Sequence, residues 1–249
     1  MIHIFVCADN CTDSTAQVAE NQGADVFVRH NLQKIGKGYA LNFLIKEISK
    51  SFAKERFDGY LVFDADNILE PNYIFEMNKT FSEGARIVTG YRNSKNYADN
   101  WISAGYSLWF LREFQYLNRP RYLLGTSYVI LGTGFGFSHE VLEKIGCWNY
   151  YLLTEDIEFT IDCVVSGEKI AYCESAVLYD EQPTDFKQSV LQRLRWAKGY
   201  FQVFSSYGER LLRGIFSRNF LSCYDMSMAI MPAMVLSLSS IVANLLMLF

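Results

Sequence analysis

The sequence predicts an α/β fold, in which a sheet flanked by helices is followed by amphipathic and apolar helices. Over the first ninety residues, short apolar runs typical of strands alternate with amphipathic runs typical of helices. Alternation of this kind favours a mostly parallel sheet with right-handed crossover connections. The length of 249 residues suits one domain of ordinary size, or one domain with an appendage.

The composition argues against some classes of function. The chain has 23 basic and 27 acidic residues and a net charge of -4, so a nucleic-acid partner is not expected. Of its six cysteines, Cys7 and Cys11 are close in sequence, but no second Cys or His pair at zinc spacing matches them. This pattern indicates free thiols in a reducing compartment. The N-terminus has no signal-peptide pattern, because the apolar residues of the first expected strand follow Met1 at once.

The expected elements follow from hydrophobic periodicity, with apolar runs taken as strands and repeats of three to four residues as helices. The expected strands are Ile2–Cys7, Asp25–Val28, Tyr60–Phe63, Arg86–Thr89, Lys169–Cys173 and Ala176–Tyr179. The expected helices are Ser14–Asn21, Lys37–Phe52, one opened by Pro71, one from Thr154 to Gly167, and one that carries Gln192. Residues 96–137 give no clear assignment.

Acidic motifs directly follow two of the expected strands. Asp9 follows the first, and Asp64-Ala65-Asp66 follows the third. Because ligands of open α/β sheets bind at the carboxyl ends of the strands, Asp9 and Asp64 are expected to face one crevice. Two carboxylates there suit Mg²⁺ or Mn²⁺, with diphosphate oxygens completing the coordination shell. The alternative is a turn in which Asp serves hydrogen bonding to the backbone.

The motif Thr154-Glu155-Asp156 opens an expected helix. Thr154 is at the N-cap and Asp156 is in the first turn. The positive helix end favours the ionised form of Asp156, which suits a general base. The alternative is an ordinary capped helix with acidic residues in its first turn.

A ligand-binding face is predicted at Gln192-Arg193-Leu194-Arg195-Trp196. Gln192, Arg195 and Trp196 share one helix face, which suits a flat, anionic, hydroxyl-rich ligand such as a sugar nucleotide. The alternative is an Arg–Trp pair that staples a surface helix. The opposite face is apolar and either packs on the core or lies in a bilayer surface. Its residues are Phe186, Val190, Leu194, Ala197, Phe201 and Phe204.

The C-terminal residues 226–249 carry no charge and predict a transmembrane helix. They are 24 residues long, about 36 Å as a helix, which is enough to cross a hydrocarbon core. Basic residues upstream place the preceding domain on the cytosolic side of the cell membrane. These are Arg193, Arg195, Lys198, Arg210, Arg213 and Arg218. The alternative is a buried core helix.

The order of these motifs resembles that of the processive-type family 2 glycosyltransferases, which include the cellulose, chitin and hyaluronan synthases. The resemblance covers nearly the whole chain. The matching segments are Ala8-Asp9-Asn10-Cys11-Thr12-Asp13, Gly36-Lys37-Gly38-Tyr39-Ala40-Leu41-Asn42, Asp64-Ala65-Asp66-Asn67, Gly132-Thr133-Gly134, Thr154-Glu155-Asp156 and Gln192-Arg193-Leu194-Arg195-Trp196.

The resemblance implies a GT-A fold, a nucleotide-sugar donor that is usually UDP-linked, Mg²⁺ or Mn²⁺, and inversion at the anomeric carbon. The acceptor is a saccharide or lipid-linked hydroxyl, and the setting is polysaccharide or glycan synthesis at a membrane. The resemblance implies that Asp9 contacts the nucleoside, that Lys37 and Asp64 hold the nucleotide, and that Asp66 together with Asp64 binds the metal. It implies that Asp156 is the general base, with Glu155 beside it. It also implies that Gln192 and Arg195 face the diphosphate, and that the acceptor is bound by Trp196, Gly132, Thr133 and Gly134.

The expected organisation is a GT-A catalytic domain at 1–184, amphipathic interfacial helices at 185–222 and the transmembrane helix at 226–249. Members of the resembled family normally have one more N-terminal strand and more membrane helices, so a fragment is expected. Two alternatives stay open. One is a catalytically inactive, truncated nucleotide-sugar binding or scaffold protein, and the other is a soluble nucleotide-binding domain ending in a core helix.

Overall fold

The computed structural model describes residues 2–247, apart from the side chains of residues 232–235. The strands are β1 (Phe5–Asp9), β2 (Asp25–Arg29), β3 (Gly59–Val62), β4 (Ile68–Leu69), β5 (Ile87–Ser94), β6 (Phe135–Ser138) and β7 (Ile170–Asp180). The helices are α1 (Thr15–Asn21), α2 (Lys37–Ser51), α3 (Tyr73–Ser82), α4 (Trp101–Leu111), α5 (Arg119–Leu123), α6 (His139–Ile145), α7 (Glu155–Val165), α8 (Phe186–Gly214), α9 (Phe220–Ile230) and α10 (Pro232–Leu246). A π-helix, Arg112–Asn118, joins α4 to α5.

The expected alternation of strands and helices is confirmed, but β4 and α6 were not expected, and two further regions differ. The two late strands are one strand, β7, because the exposed Glu174 and Ser175 lie at a register shift opposite Gly90 and Tyr91. The unassigned residues 96–137 contain α4, the π-helix, α5 and the start of β6. α4 is apolar around most of its circumference, so it carries no polar stripe from which a helical period can be recognised.

The expectation of a mostly parallel sheet is wrong. β1 and β2 form a separate parallel pair, and a five-stranded sheet has the order β3-β6-β5-β7-β4. Within that sheet only β5 and β7 pair in parallel, while β6 runs against both β3 and β5 and β4 runs against β7. The reason is β6, a four-residue strand that follows a glycine-rich turn and inserts between two parallel-running strands.

The five-stranded sheet is covered by apolar clusters on both faces. Ile87 belongs to the larger cluster and its neighbour Val88 to the smaller one, and successive strand residues point to opposite faces. In the larger cluster Trp148 packs on Phe159 of α7, with ring centroids 5.0 Å apart, and on Phe135 of β6 at 5.9 Å. This aromatic packing fixes α7 on the sheet.

The two faces of α8 are sorted clearly. Its buried residues, which include Ser189, Gly199 and Val203, face the rest of the domain. On the opposite face Phe186, Phe201 and Leu194 are 62%, 62% and 60% exposed. Of the two fates expected for the apolar face, packing on the core holds only for Phe204, which contacts the larger cluster, while the other five residues of the face are exposed.

The structure does not support the expected transmembrane helix at 226–249. Among residues 2–247, no helix is both long enough and apolar enough to span a membrane. α9 ends at Ile230 and α10 starts at Pro232, because proline lacks the N–H that a continuing helix needs. α10 has 15 residues, about 22 Å of helix. The final two expected residues, Leu248 and Phe249, lie outside the described residues.

The alternative for this region, a buried core helix, holds for the end of α9, where Met226, Ser227 and Ile230 are buried, but not for α10. The described side chains of α10 are exposed from Leu236 onwards, and Leu246 is 73% exposed.

Gly38 in α2 provides a test of the packing between α2 and the segment before α7. A Cβ added at Gly38 meets the backbone oxygen of Tyr150 at far less than 3.0 Å, so the backbone must move. We expect Gly38→Ala to lower the free energy of unfolding by about 1–3 kcal/mol, measured by urea denaturation. The control is Gly105→Ala in α4, where a Cβ meets nothing within 4 Å. We expect the free energy of unfolding of this control to rise by about 0.5–1 kcal/mol. Equal effects of the two substitutions would contradict the close packing at Gly38.

Candidate active site

A cavity of about 320 Å³ opens where the N-termini of α2 and α7 meet α8 and the turn before β6. It brings together eight of the twelve predicted site residues. They are Lys37, Asp64, Gly132, Glu155, Asp156, Gln192, Arg195 and Trp196. The other four, Asp9, Asp66, Thr133 and Gly134, are not among its lining residues.

Lys37 links three of the predicted motifs. It is the first residue of α2, and its Nζ forms an ion pair with Asp64. The same Nζ donates a hydrogen bond of 2.8 Å to the carbonyl oxygen of Gly132. One ammonium group therefore holds the loop after β3 and the glycine turn at the N-terminus of α2.

The loop carrying Asp64 and Asp66 is held by its neighbours Asn67 and Thr133. The backbone N–H of Asp64 donates to Thr133 Oγ1 at 2.9 Å and to Asn67 Oδ1 at 3.1 Å. Asn67 Nδ2 donates to Asp180 Oδ1 at 3.1 Å. The predicted acceptor residue Thr133 is buried in this network.

The donor set at Asp64 and Asp66 fits a hard divalent cation. Asp66 is exposed, and desolvation together with the nearby Asp180 and Asp64 raises its pKa above the ordinary value. Among the described residues no three His, Cys, Asp or Glu side chains converge as a complete metal cage. The chain thus offers two carboxylates, and Mg²⁺-type ions commonly take the rest of their shell from phosphates and water.

Glu155 and Asp156 are adjacent carboxylates in the first turn of α7. Burial, followed by the charge of Asp156, raises the pKa of Glu155 to about 7, while Lys37 opposes the shift. Burial also raises the pKa of Asp156, against the backbone N–H of Ile157 and the charge of Lys37. The expected helix-end effect is present, but desolvation outweighs it, so the pair holds a proton more readily than free carboxyls do.

On the predicted face of α8, polar side chains line the cavity. Arg195 is exposed and forms no ion pair with any residue in the described part of the chain. The Gln192 Oε1 atom is buried and has no hydrogen-bond partner among the residues that the structure describes. In residues 2–247 the guanidinium–ring contacts involve Arg92, Arg193 and Arg210, so the alternative of an Arg195–Trp196 staple is wrong.

Aromatic rings form much of the remaining cavity wall. Trp196 stacks on Trp109 of α4, with centroids 5.6 Å apart and planes at 23°. On another part of the wall, Tyr39 stacks on Tyr151 at 4.5 Å. Sequence reasoning assigned no role to Trp109, Tyr39 or Tyr151, because their proximity comes from the packing of separate elements.

Arg92 was also missed. Its Nε donates to Asp180 at 2.8 Å, its Nη1 donates to the Leu131 carbonyl at 2.8 Å, and its guanidinium lies 4.1 Å from the Phe110 ring centroid. It lines the cavity as a fixed, neutralised cation. The available signal was a basic residue three positions beyond the expected fourth strand, Arg86–Thr89.

Two predicted site residues have their own partners outside the cavity. Asp9 forms an ion pair with Arg29 of β2. Gly134 has φ 67°, and its carbonyl accepts hydrogen bonds from Gly90 N and Tyr73 Oη, both at 2.8 Å. A side chain at Gly134 would also meet Leu178, so the local need for glycine is explained by turn geometry and packing.

Comparison with known proteins identifies the family. A family model described as glycosyltransferase like family 2 matches residues 1–199. The chain is 27% identical over 205 residues to the probable glycosyltransferase YdaM of Bacillus subtilis (strain 168), covering 80% of this chain and 47% of that protein. It is 26% identical over 221 residues to the poly-β-1,6-N-acetyl-D-glucosamine synthase of Staphylococcus aureus (strain COL), covering 86% and 49% respectively. The chain spans about half the length of these relatives.

The fold is also found among solved structures. A mannosyltransferase of Pyrobaculum calidifontis, in complex with GDP-Man and Mn²⁺, matches with a TM-score of 0.55 and 13% identity, covering 98% of this chain and 71% of that chain. That likeness concerns the fold, which is a GT-A-like α/β fold. Because the family model covers most of its length, the chain belongs to the family 2-like glycosyltransferases.

Proposed function

We propose that this chain is the catalytic part of an inverting glycosyltransferase. It moves a sugar from a nucleotide-sugar donor, with UDP as the expected nucleotide, to a hydroxyl of a saccharide or lipid-linked acceptor. The observation that carries the proposal is one cavity lined by a carboxylate pair, Glu155 and Asp156, and by the unpaired guanidinium of Arg195. The first suits an attacking hydroxyl and the second suits a departing diphosphate.

In the proposed reaction Asp156 is the general base. Its carboxylate accepts the proton of the acceptor hydroxyl as the hydroxyl oxygen attacks the anomeric carbon of the donor sugar. The new glycosidic C–O bond forms on one face of the sugar, and the bond to the diphosphate oxygen breaks on the other, which inverts the anomeric carbon. The electron pair of the broken bond leaves with the nucleoside diphosphate.

The leaving diphosphate gains negative charge, and the cavity offers cationic groups and donors for it. Arg195 has free N–H groups, and Lys37 lies in the same cavity, bound to Asp64. Asp64 and Asp66 are the residues proposed to hold Mg²⁺ or Mn²⁺, which when bound would neutralise diphosphate charge. The complex of the Pyrobaculum mannosyltransferase with GDP-Man and Mn²⁺ supports this proposal.

The acceptor class is proposed as a growing saccharide or a lipid-linked sugar. Support comes from the similarity to a poly-β-1,6-N-acetyl-D-glucosamine synthase, of which this chain covers 49%. The stacked Trp109 and Trp196 rings offer an apolar wall of the kind that sugar C–H faces contact. One face of Trp196 is occupied by Trp109, so the two rings together form the proposed acceptor wall.

We further propose that the exposed face of α8 lies on the cytosolic surface of the cell membrane. Its apolar residues Phe186, Leu194 and Phe201 are more than half exposed. The basic residues Lys187 and Lys198 are also exposed and lie along one edge of this stripe on the helix surface. An apolar stripe bordered by lysines suits an interfacial helix beside anionic headgroups.

The assignment of Asp156 as base is tested by Asp156→Asn. An amide cannot accept the hydroxyl proton, so we expect sugar transfer from UDP-sugars with Mn²⁺ to fall by about 10²–10⁴-fold, while UDP still binds. Asp99→Asn, at an exposed position outside the cavity, serves as the control and keeps full activity. Binding of UDP without any transfer by the wild-type chain would instead favour an inactive nucleotide-sugar binding protein.

The raised pKa of the carboxylate pair predicts a pH dependence of transfer. Asp156 works only as the carboxylate, and burial raises its pKa, so kcat should rise with pH along a limb that lies above the range of an ordinary aspartate. Glu155→Gln removes the neighbouring negative charge and should move this limb to lower pH. A kcat that does not change between about pH 5.5 and about pH 8 would sink this assignment.

The aromatic wall is tested by Trp109→Ala and Trp196→Ala. Each removes part of the stacked pair, so we expect the acceptor KM to rise by roughly tenfold, while hydrolysis of the donor by water changes little. Trp101→Ala, a change at an exposed tryptophan of α4 that does not line the cavity, is the matched control. Equal losses of transfer and donor hydrolysis would argue against an acceptor role.

A further inference from the structure

α8 makes an unusually close approach to the segment that opens α7. Gly199 of α8 is buried, and a Cβ built on it lies 2.5 Å from both Oγ1 and Cγ2 of Thr154 and 3.0 Å from Thr154 Cβ. Real Cβ atoms essentially never come closer than 3.0 Å to such neighbours. The helix can lie at this distance only because residue 199 has no side chain.

The Thr154 side chain has no conformation that relieves this contact. Both of its heavy branches face Gly199 at 2.5 Å. Rotation about Cα–Cβ can turn the Cβ hydrogen towards only one of these two places, so one heavy branch always stays. Thr154 is 5% exposed, and its Oγ1 has no hydrogen-bond partner in the described part of the chain, so it makes no side-chain cap for α7. Its close neighbour is Gly199 instead.

The contact lies between the two halves of the cavity. Thr154 directly precedes Glu155 and Asp156, which supply the carboxylates. Gly199 follows Gln192, Arg195 and Trp196 by seven, four and three residues, which puts all four on one helix face. Any displacement at this contact therefore changes the distance between the carboxylates and the groups of α8.

We propose that Gly199 is a positioning residue. Through Thr154 it sets the separation between the base Asp156 and the diphosphate- and acceptor-binding groups of α8. The role rests on the proposed transfer reaction, in which attack and departure occur on opposite sides of one carbon atom. When α8 moves, a bound diphosphate can move together with Arg195. The base, the anomeric carbon and the leaving group then no longer lie in one line.

The consequence of a side chain at position 199 can be estimated from the contact distances. Moving a methyl group from 2.5 Å to ordinary van der Waals contact at 3.4 Å requires a shift of roughly 1 Å. Misplacement of reacting groups by about 1 Å can cost on the order of 10²-fold in rate. The loss should appear in kcat rather than in nucleotide affinity.

The test compares Gly199→Ala with a matched substitution elsewhere on α8. Gly199→Ala is expected to lower kcat by about 10- to 100-fold while the UDP Kd changes by less than about threefold. In Gly214→Ala the new Cβ meets Cys223 Sγ of α9 well inside 3.0 Å, away from the cavity. We expect this control to lose a similar amount of thermal stability and to keep its kcat within about twofold. Equal losses of kcat in the two variants would reduce Gly199 to a packing residue.

The rescue variant is Gly199→Ala combined with Thr154→Ala. It removes both branches that face the new methyl group, so we expect at least about tenfold of the lost kcat to return. If Gly199→Ala alone fails to fold, recovery of folding and transfer in the double variant supports the contact. A double variant that folds but stays as inactive as Gly199→Ala overturns it.

A structural readout separates this proposal from the proposed function. Crystal structures of the wild type and Gly199→Ala give the distance between Asp156 and Arg195 directly. An unchanged distance overturns the positioning role, whether or not the chain transfers sugar. A lengthened distance supports it, and a lack of wild-type transfer then counts against the proposed function alone.

Discussion

The packing of α8 across the first turn of α7 is the constraint on which the cavity depends. α7 is fixed to the sheet by Phe159 within the aromatic cluster around Trp148. Its buried Glu158 accepts hydrogen bonds from Tyr151 N at 2.8 Å and Leu152 N at 3.0 Å, which holds the incoming segment. Glu158 also accepts one from Tyr207 Oη of α8 at 3.3 Å, so the same carboxylate ties both helices together.

The cavity that this packing creates contains charged and polar groups whose interactions are not all satisfied within the described residues. Desolvation raises the pKa values of Glu155 and Asp156, while Lys37, which opposes both shifts, is already paired with Asp64. Arg195 has no carboxylate partner among the described residues, and Gln192 Oε1 has no donor. A ligand that brings a diphosphate to Arg195 and a hydroxyl to Asp156 supplies what these groups lack. These unmet interactions support the proposed nucleotide-sugar donor and hydroxyl acceptor.

The sequence was informative where chemistry is carried by local motifs. The loop after β3, the first turn of α7 and the face of α8 each depend on short-range spacing, so Asp64, Asp156 and Arg195 could be predicted to share a site. Their meeting in one cavity agrees with the motif order. Apart from the two-residue strand β4, the strands and helices of the first ninety residues were predictable for the same reason, since their hydrophobic periods are regular.

The remaining features depend on long-range packing that spacing does not encode. β6 takes its direction from its insertion between β3 and β5. The sequence of a four-residue apolar segment does not indicate such an insertion. Trp109 reaches the cavity because α4 packs beside α8. The helix break at Pro232 interrupts a run of apolar residues that is continuous in the sequence. The close approach at Gly199 likewise appears only when two distant segments are brought together.

The most direct measurement is a crystal structure of this chain with UDP and Mn²⁺. The account predicts a nucleotide in the cavity beside Asp156, its diphosphate in contact with the Arg195 guanidinium, and Mn²⁺ bound by the carboxylates of Asp64 and Asp66. A nucleotide bound elsewhere, or a diphosphate that leaves Arg195 without a partner, would contradict it.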